Sequence, residues 1–284
     1  MNIPNTKIAL LGTGNPNPDP QHNGPSLAIL VNETPYLIDC GPGIIRQCAA
    51  LTPRYGGSIP ALNPENLKIG FLTHLHSDHT IGLPDLILTP WVMGRKEPLK
   101  IFGPVGTQEL CSHILEAYKA DIDYRLNGLE PASHSGWQVI VDEFHEGMIF
   151  RDENIMVEAF EVSHGTLPNS FGFRFTTEDK TIVVSGDTAP CESIRKYGQG
   201  ADILIHEVYY HHAFSRQQQI WQEYHRIHHT STLQLARLSN EIQPGLLVLY
   251  HTLFWGGSKK DILQEIKDSY GGEVILGEDL QVIE

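Results

Sequence analysis

Four side chains of metal-binding type stand within six residues of one another, directly after an apolar run. They are His74, His76, Asp78 and His79, in FLTHLHSDHTIGLPD (residues 71–85), and the run before them covers residues 67–73. In extended chain alternate residues face the same side, so His74 and His76 aim at one point. The chain then turns, and Asp78 and His79 face a neighbouring point from the following loop or helix start. Imidazole and carboxylate are the ligands that zinc takes at about 2.0–2.2 Å. A chain carrying this cluster must end a buried strand beside it.

One cluster cannot fill two coordination spheres, so further ligands are expected from strand ends elsewhere. Three candidates stand in such places. His164 follows an apolar β run at 155–162, Asp187 follows one at 181–184, and His251 follows one at 246–250. Each is expected in a loop just past its strand.

The remaining runs fill in a layered α/β chain. Strands are expected at 7–11, 27–31, 36–39, 99–102, 139–141, 171–175 and 203–206. Apolar residues at helical spacing predict a helix over 108–119. A second is expected from a cap at Thr230 or Ser231 to about residue 240, and a third behind the capping box that opens at Ser258. Residues 15–26, NPNPDPQHNGPS, carry alternating prolines and predict an extended, solvent-facing loop without ladder hydrogen bonds, either a plain surface excursion or a rim beside a site.

Composition narrows the function. A hydrophobic content of 40% describes a packed globular protein and excludes a disordered chain. Twenty Lys and Arg against 34 Asp and Glu give a net charge of −14, which disfavours nucleic acid as a partner. Cys40, Cys48, Cys111 and Cys191 form no C-x-x-C pair and read as buried thiols of a reducing compartment. The N-terminus lacks the basic start and apolar core of a signal peptide, and no window is long and apolar enough for a membrane span. A cytoplasmic protein is expected.

THLHSDH resembles the H-x-H-x-D-H signature of the metallo-β-lactamase superfamily, and the order His164, Asp187, His251 resembles that superfamily's remaining ligands. The likeness runs from LGTGNPNP and YLIDCGPG to the last of these histidines. It is nearest to the branch of ribonuclease Z and the arylsulfatase-like and phosphodiesterase-like hydrolases. His206-Glu207-Val208-Tyr209 resembles the ribonuclease Z motif that begins His-Glu, and His229-Thr230-Ser231 resembles its His-Ser/Thr motif.

The resemblance implies an α/β fold, a four-layer αβ/βα sandwich, in one domain over residues 1–284 with two β-rich halves, about 1–150 and 151–284. It implies two zinc ions, with manganese or iron able to replace them. His74, His76 and His164 would hold one ion, Asp78, His79 and His251 the other, with Asp187 bridging. Attack on an ester would come from a hydroxide shared by the ions, which Asp78 can help orient. His229 would act as general acid with Glu207 holding its other ring nitrogen. His228 is the competing assignment for that acid, and His206 is expected behind the site, bonded to a ligand or to backbone. A homodimer is a further implication.

Two departures order the substrates. The segment 121–151 is short and acidic or apolar, where bacterial ribonuclease Z carries a long arm rich in Gly, Lys and Pro; LPDLILTPWVMGR (83–95) is closer to arylsulfatase-like members. With the acidic charge, these put a small phosphodiester, sulfate ester or related ester first, as a small-molecule substrate. A ribonuclease Z-type endonuclease acting on tRNA 3′ ends comes second. An iron enzyme on the same scaffold and a non-catalytic metal-binding protein follow as third and fourth readings.

Overall fold

The structure, a computed structural model, describes residues 6–130 and 132–284. The signal-peptide reading rests partly on residues 1–5, which lie outside the described residues. The chain divides into two compact units, residues 6–144 with Glu278–Glu284, and His145–Gly277.

The first unit holds β1 (Thr6–Gly12), β2 (Ser26–Val31), β3 (Thr34–Ile38), β4 (Ile69–Phe71), β5 (Leu99–Gly103) and β6 (Val139–Glu143). Its helices are α1 (Ile44–Ala50), α2 (Ser77–Thr80), α3 (Leu83–Val92), α4 (Thr107–Ala117) and α5 (Lys119–Asn127). The last strand of the chain, β14 (Val282–Ile283), returns to this unit and gives the sheet order β14-β1-β2-β3-β4-β5-β6. Pairing is antiparallel up to β3 and parallel from β3 to β6. Ala9, Leu11, Ala28, Leu30, Leu37, Leu99 and Ile101 alternate along the strands and pack with Ile44, Leu86, Ile87 and Trp91 from the helices.

The second unit holds β7 (Gly147–Arg151), β8 (Met156–Glu161), β9 (Phe171–Thr176), β10 (Thr181–Val184), β11 (Ile203–Tyr209), β12 (Leu246–Leu253) and β13 (Val274–Leu276). Its helices are α6 (Glu192–Gly198), α7 (His211–Phe214), α8 (Gln219–His228), α9 (Thr232–Ile242) and α10 (Lys259–Lys267). The sheet runs β13-β12-β11-β10-β9-β8-β7, antiparallel from β7 to β10 and parallel from β10 to β13. Val183, Leu204, Leu247 and Leu249 form its core with Leu235, Ala236 and Leu238 of α9 and Ile262 and Ile266 of α10. Ser231 and Ser258 cap α9 and α10 through full capping boxes.

Several boundaries differ from expectation, for local reasons. The run at 67–73 is a strand only over β4, because the Thr73 N–H donates to the Asp39 carboxylate at 2.8 Å instead of to a neighbouring strand. The helix expected over 108–119 breaks at Tyr118 into α4 and α5. Asp39 is not part of β3: its φ of 56° takes it out of the ladder. Cys40, Cys48 and Cys111 are buried, Cys191 is half-buried, and all four are free thiols. No helix of the described residues is long and apolar enough to cross a membrane.

Candidate active site

In the first unit the predicted cluster sits where the parallel strands end. His74 follows β4 and is buried; His76 is the residue before α2; Asp78 and His79 lie in the first turn of α2. The His74 ring lies 4.8 Å from that of His76 and 4.2 Å from that of His79. His79 Nε2 stands 3.6 Å from Asp78 Oδ2.

Asp39, at the end of β3, organises these groups and was not singled out from the sequence. Its carboxylate accepts from Thr73 N at 2.8 Å, from Thr73 Oγ1 at 2.9 Å and from His79 Nδ1 at 2.8 Å. Thr73 Oγ1 is also 2.9 Å from His74 Nδ1. A carboxylate only accepts, so the hydroxyl gives its proton to Asp39 and takes that of His74. Both imidazoles are thereby held with Nδ1 protonated and Nε2 as the lone-pair nitrogen, the arrangement of metal-ligating histidines. The available signal was an aspartate closing an apolar strand before Cys40-Gly41-Pro42.

In the second unit His164 lies beyond β8, buried, with Nδ1 donating to the His228 carbonyl at 2.8 Å. Asp187 follows β10, and its two oxygens face two different imidazoles. Oδ2 is 3.9 Å from His164 Nε2, and Oδ1 is 3.8 Å from His251 Nε2. Those separations are too long for hydrogen bonds. They are near the roughly 3–3.6 Å between two ligands that each sit about 2.1 Å from one ion.

His251 does not lie past a strand end, as expected, but inside β12. The ladder with β11 slips there: Glu207 pairs with Tyr250, and Val208 with Thr252. The bulge leaves His251 between pairs at φ 47°, a backbone rarely adopted by a non-glycine residue, and re-aims its side chain.

Adjacent residues of β11 carry the rest. Glu207 is fully buried; Oε1 accepts from Thr230 N at 3.0 Å and Thr188 N at 3.3 Å, and lies 3.3 Å from His229 Nδ1. Burial first, and Asp187 second, push its carboxyl well above the usual range. The Glu207 carboxyl thus resists ionisation beside the His229 imidazole. His206 Nδ1 bonds the Glu207 carbonyl at 2.6 Å, and burial pushes its pKa down to about 4.

The two candidate acids have different neighbours. His228 Nδ1 is 2.7 Å from the Tyr224 carbonyl and its ring stacks on Tyr224 at 4.0 Å, while His229 is the imidazole that faces Glu207. His225, 5.3 Å from the His229 ring and 4.7 Å from that of Trp255, is pushed down to about 4 by burial and then by its histidine neighbours.

Residues 34–252 match the family model of the β-lactamase superfamily domain. The chain belongs to the metallo-β-lactamase superfamily. This superfamily member is 30% identical over 287 residues to ribonuclease Z of Mycobacterium bovis (strain BCG / Pasteur 1173P2), covering 98% of each chain. It is 31% identical over 286 residues to ribonuclease Z of Mycobacterium sp. (strain KMS), covering 98% of this chain and 95% of that one. Its fold is that of the metallo-β-lactamase fold protein YhfI from Bacillus subtilis (TM-score 0.75, 18% identity, 99% of both chains). Human tRNase Z, short form, shares it too (TM-score 0.70, 23% identity, 98% of both chains).

The chain is therefore a hydrolase of that superfamily, with the two-sheet α/β fold that the signature implied. The superfamily fold implies a divalent metal, and the donor chemistry of each unit fits one. His74, His79 and His164 each engage Nδ1 and keep Nε2 as the lone-pair nitrogen, and Asp187 stands between two imidazoles.

Proposed function

We propose that this hydrolase is a dinuclear-metal phosphodiesterase that cleaves RNA, with tRNA 3′ ends as its natural target. The observation that carries the reading is the full-length likeness to proteins named ribonuclease Z, 30% over 98% of both chains. Sequence alone ranked a small ester first. The order is reversed here because that likeness spans 98% of the chain, while the charge argument concerns only the chain's total.

His74, His76 and His164 would hold one ion and Asp78, His79 and His251 the other, with Asp187 shared; zinc, manganese or iron suits these donors. When bound, such a pair of cations supplies a nucleophile from water at neutral pH and neutralises charge on the ester oxygens.

The chain's own residues do the rest. Asp39, Thr73 and the His228 carbonyl orient the ligating imidazoles. Asp78 can also orient the attacking water. The leaving oxygen needs a proton, and His229, which faces Glu207, gives it. Thr188 and Thr230 N–H groups fix the Glu207 carboxyl for that task. A purely structural metal site has no use for this pair, which favours an enzyme over a metal-binding protein.

A small phosphodiester or sulfate ester is the second reading, favoured by the net charge of −14. A homodimer is carried over from the ribonuclease Z resemblance.

The test is a panel of pre-tRNA, bis(p-nitrophenyl) phosphate and p-nitrophenyl sulfate. Cleavage of RNA is expected, with slower hydrolysis of the aryl diester and none of the sulfate. His229→Ala should lower kcat by about 10²–10⁴ with metal content unchanged. Diester hydrolysis with intact RNA would favour the second reading, and sulfate hydrolysis alone would overturn the first.

A further inference from the structure

We propose that Tyr224 and the ring of His228 are positioning residues. With Gly165 they seat the end of α8 on His164 and so fix the tautomer and aim of that imidazole. This rests on the dinuclear-metal reading above, in which His164 is a ligand, and names what holds that ligand in place.

The last carbonyls of an α-helix have no N–H partner within it. Helix α8 ends at His228, and two consecutive residues between β8 and β9 answer its last two carbonyls. Gly165 N donates to Ile227 O at 2.9 Å, and His164 Nδ1 donates to His228 O at 2.8 Å. The second bond puts the proton of a neutral imidazole on Nδ1 and leaves Nε2 its lone pair. The accepting carbonyl also lies at the negative end of the helix dipole, which makes Nε2 a better donor to a cation.

A carbonyl aims an imidazole only if the turn that carries it is fixed. Tyr224 and His228 stand four residues apart and share one face of α8. Their rings stack with centroids 4.0 Å apart and planes 17° from parallel, and His228 Nδ1 donates to the Tyr224 carbonyl at 2.7 Å. The same ring lies against Gly165. A Cβ there would come to 2.0 Å from His228 Nε2, 2.3 Å from Cε1 and 2.4 Å from Cδ2, and the φ of 60° favours glycine as well. The His164 ring meets the His228 ring edge to face, with centroids 5.2 Å apart at 89°. One buried ring is thus packed on both residues that cap its helix. His229 follows directly in extended backbone and faces Glu207, so the same seat places the proposed acid.

The experiment uses the full chain labelled with nitrogen-15 at histidine and reads two quantities. In protein stripped of metal, proton–nitrogen correlation spectra at mildly alkaline pH report the tautomer of each neutral imidazole. His164 should carry its proton on Nδ1 alone. His228→Ala keeps the accepting carbonyl and removes only the ring, and Tyr224→Leu removes the stack; each should turn His164 into a mixture of tautomers while His206 stays as it was. Tyr224→Phe keeps the ring and should match the unsubstituted protein. In loaded protein, competition with a zinc chelator should show one ion held about tenfold more weakly in His228→Ala and Tyr224→Leu, and the other unchanged. A single His164 tautomer in both variants, or both ions held as before, overturns the proposal. Equal weakening of both ions does so too, since general damage to the fold does not choose between them. If one variant does not fold, the other decides. If the unsubstituted protein binds no zinc, the dinuclear reading fails, and the His164 tautomer alone then judges the seat.

Discussion

His206 and Glu207 are neighbours in a strand and both fully buried, so their side chains leave β11 on opposite faces. The His206 imidazole gives one nitrogen to the Glu207 carbonyl, and among the described residues its Nε2 has no hydrogen-bond partner. Burial lowers its folded pKa to about 4, below the ordinary 6.5 of an unfolded histidine. The unfolded chain therefore takes up a proton that the folded one refuses, and stability is lost as pH falls from about 6.5 to about 4. The single residue accounts for about 3 kcal/mol across that window. His206→Asn should flatten the fall, read as urea midpoints at pH values near 7 and near 4; an unchanged slope would remove His206 as its source. The ligand candidates were legible in the sequence because few residue types bind metals and His74, His76, Asp78 and His79 crowd one strand end. Asp39 was not, since a lone aspartate after an apolar run looks the same whether it ends a strand or orients two histidines. The bulge at His251 was equally hidden: a register slip belongs to the pairing of two strands and leaves no mark in one.

Helices α9 and α10 were readable from their caps, whereas α3 was not. Its sequence, LPDLILTPWV, buries Leu83, Leu86, Ile87, Leu88, Pro90 and Trp91, which erases the polar face that a periodic pattern needs. Pro90 also argues against a helix, because it has no N–H for the Leu86 carbonyl four residues back. Arg95 repairs the defect. Fully buried, it donates from Nη1 to Leu86 O at 3.0 Å and from Nη2 to Ile87 O at 2.6 Å. The same guanidinium reaches Leu67 O and Gly136 O, each at 3.0 Å, so α3 is tied to the segments before β4 and β6. A fork of five donors can serve four carbonyls at once, which an ammonium cannot. Arg95→Ala leaves those carbonyls buried without partners and should cost about 3 kcal/mol or more, measured by urea unfolding. A loss under about 1 kcal/mol would show that water or backbone adjustment replaces the guanidinium. Neither Pro90 nor Arg95 suggests this alone, since the compensation depends on where the side chain folds back.

At the scale of the whole molecule, the two units repeat one plan, antiparallel strands followed by parallel ones, and each gathers imidazoles and a carboxylate where its strands end or bulge. The α/β fold class followed from the order of apolar runs and from the metallo-β-lactamase signature; the direction of the strands did not. The substrate did not, because net charge is a property of the total and says little about one cavity: −14 overall coexists with a full-length likeness to ribonuclease Z. If the proposed ligands His74, His76, Asp78, His79, His164, Asp187 and His251 hold two ions, catalysis requires a fixed number of ions. The direct test is to strip the protein with a chelator and follow bis(p-nitrophenyl) phosphate hydrolysis as zinc or manganese is returned in known equivalents. Activity should vanish on stripping and return to a plateau at two ions per chain. Hydrolysis that survives complete stripping, or a plateau at one ion, would contradict the dinuclear centre.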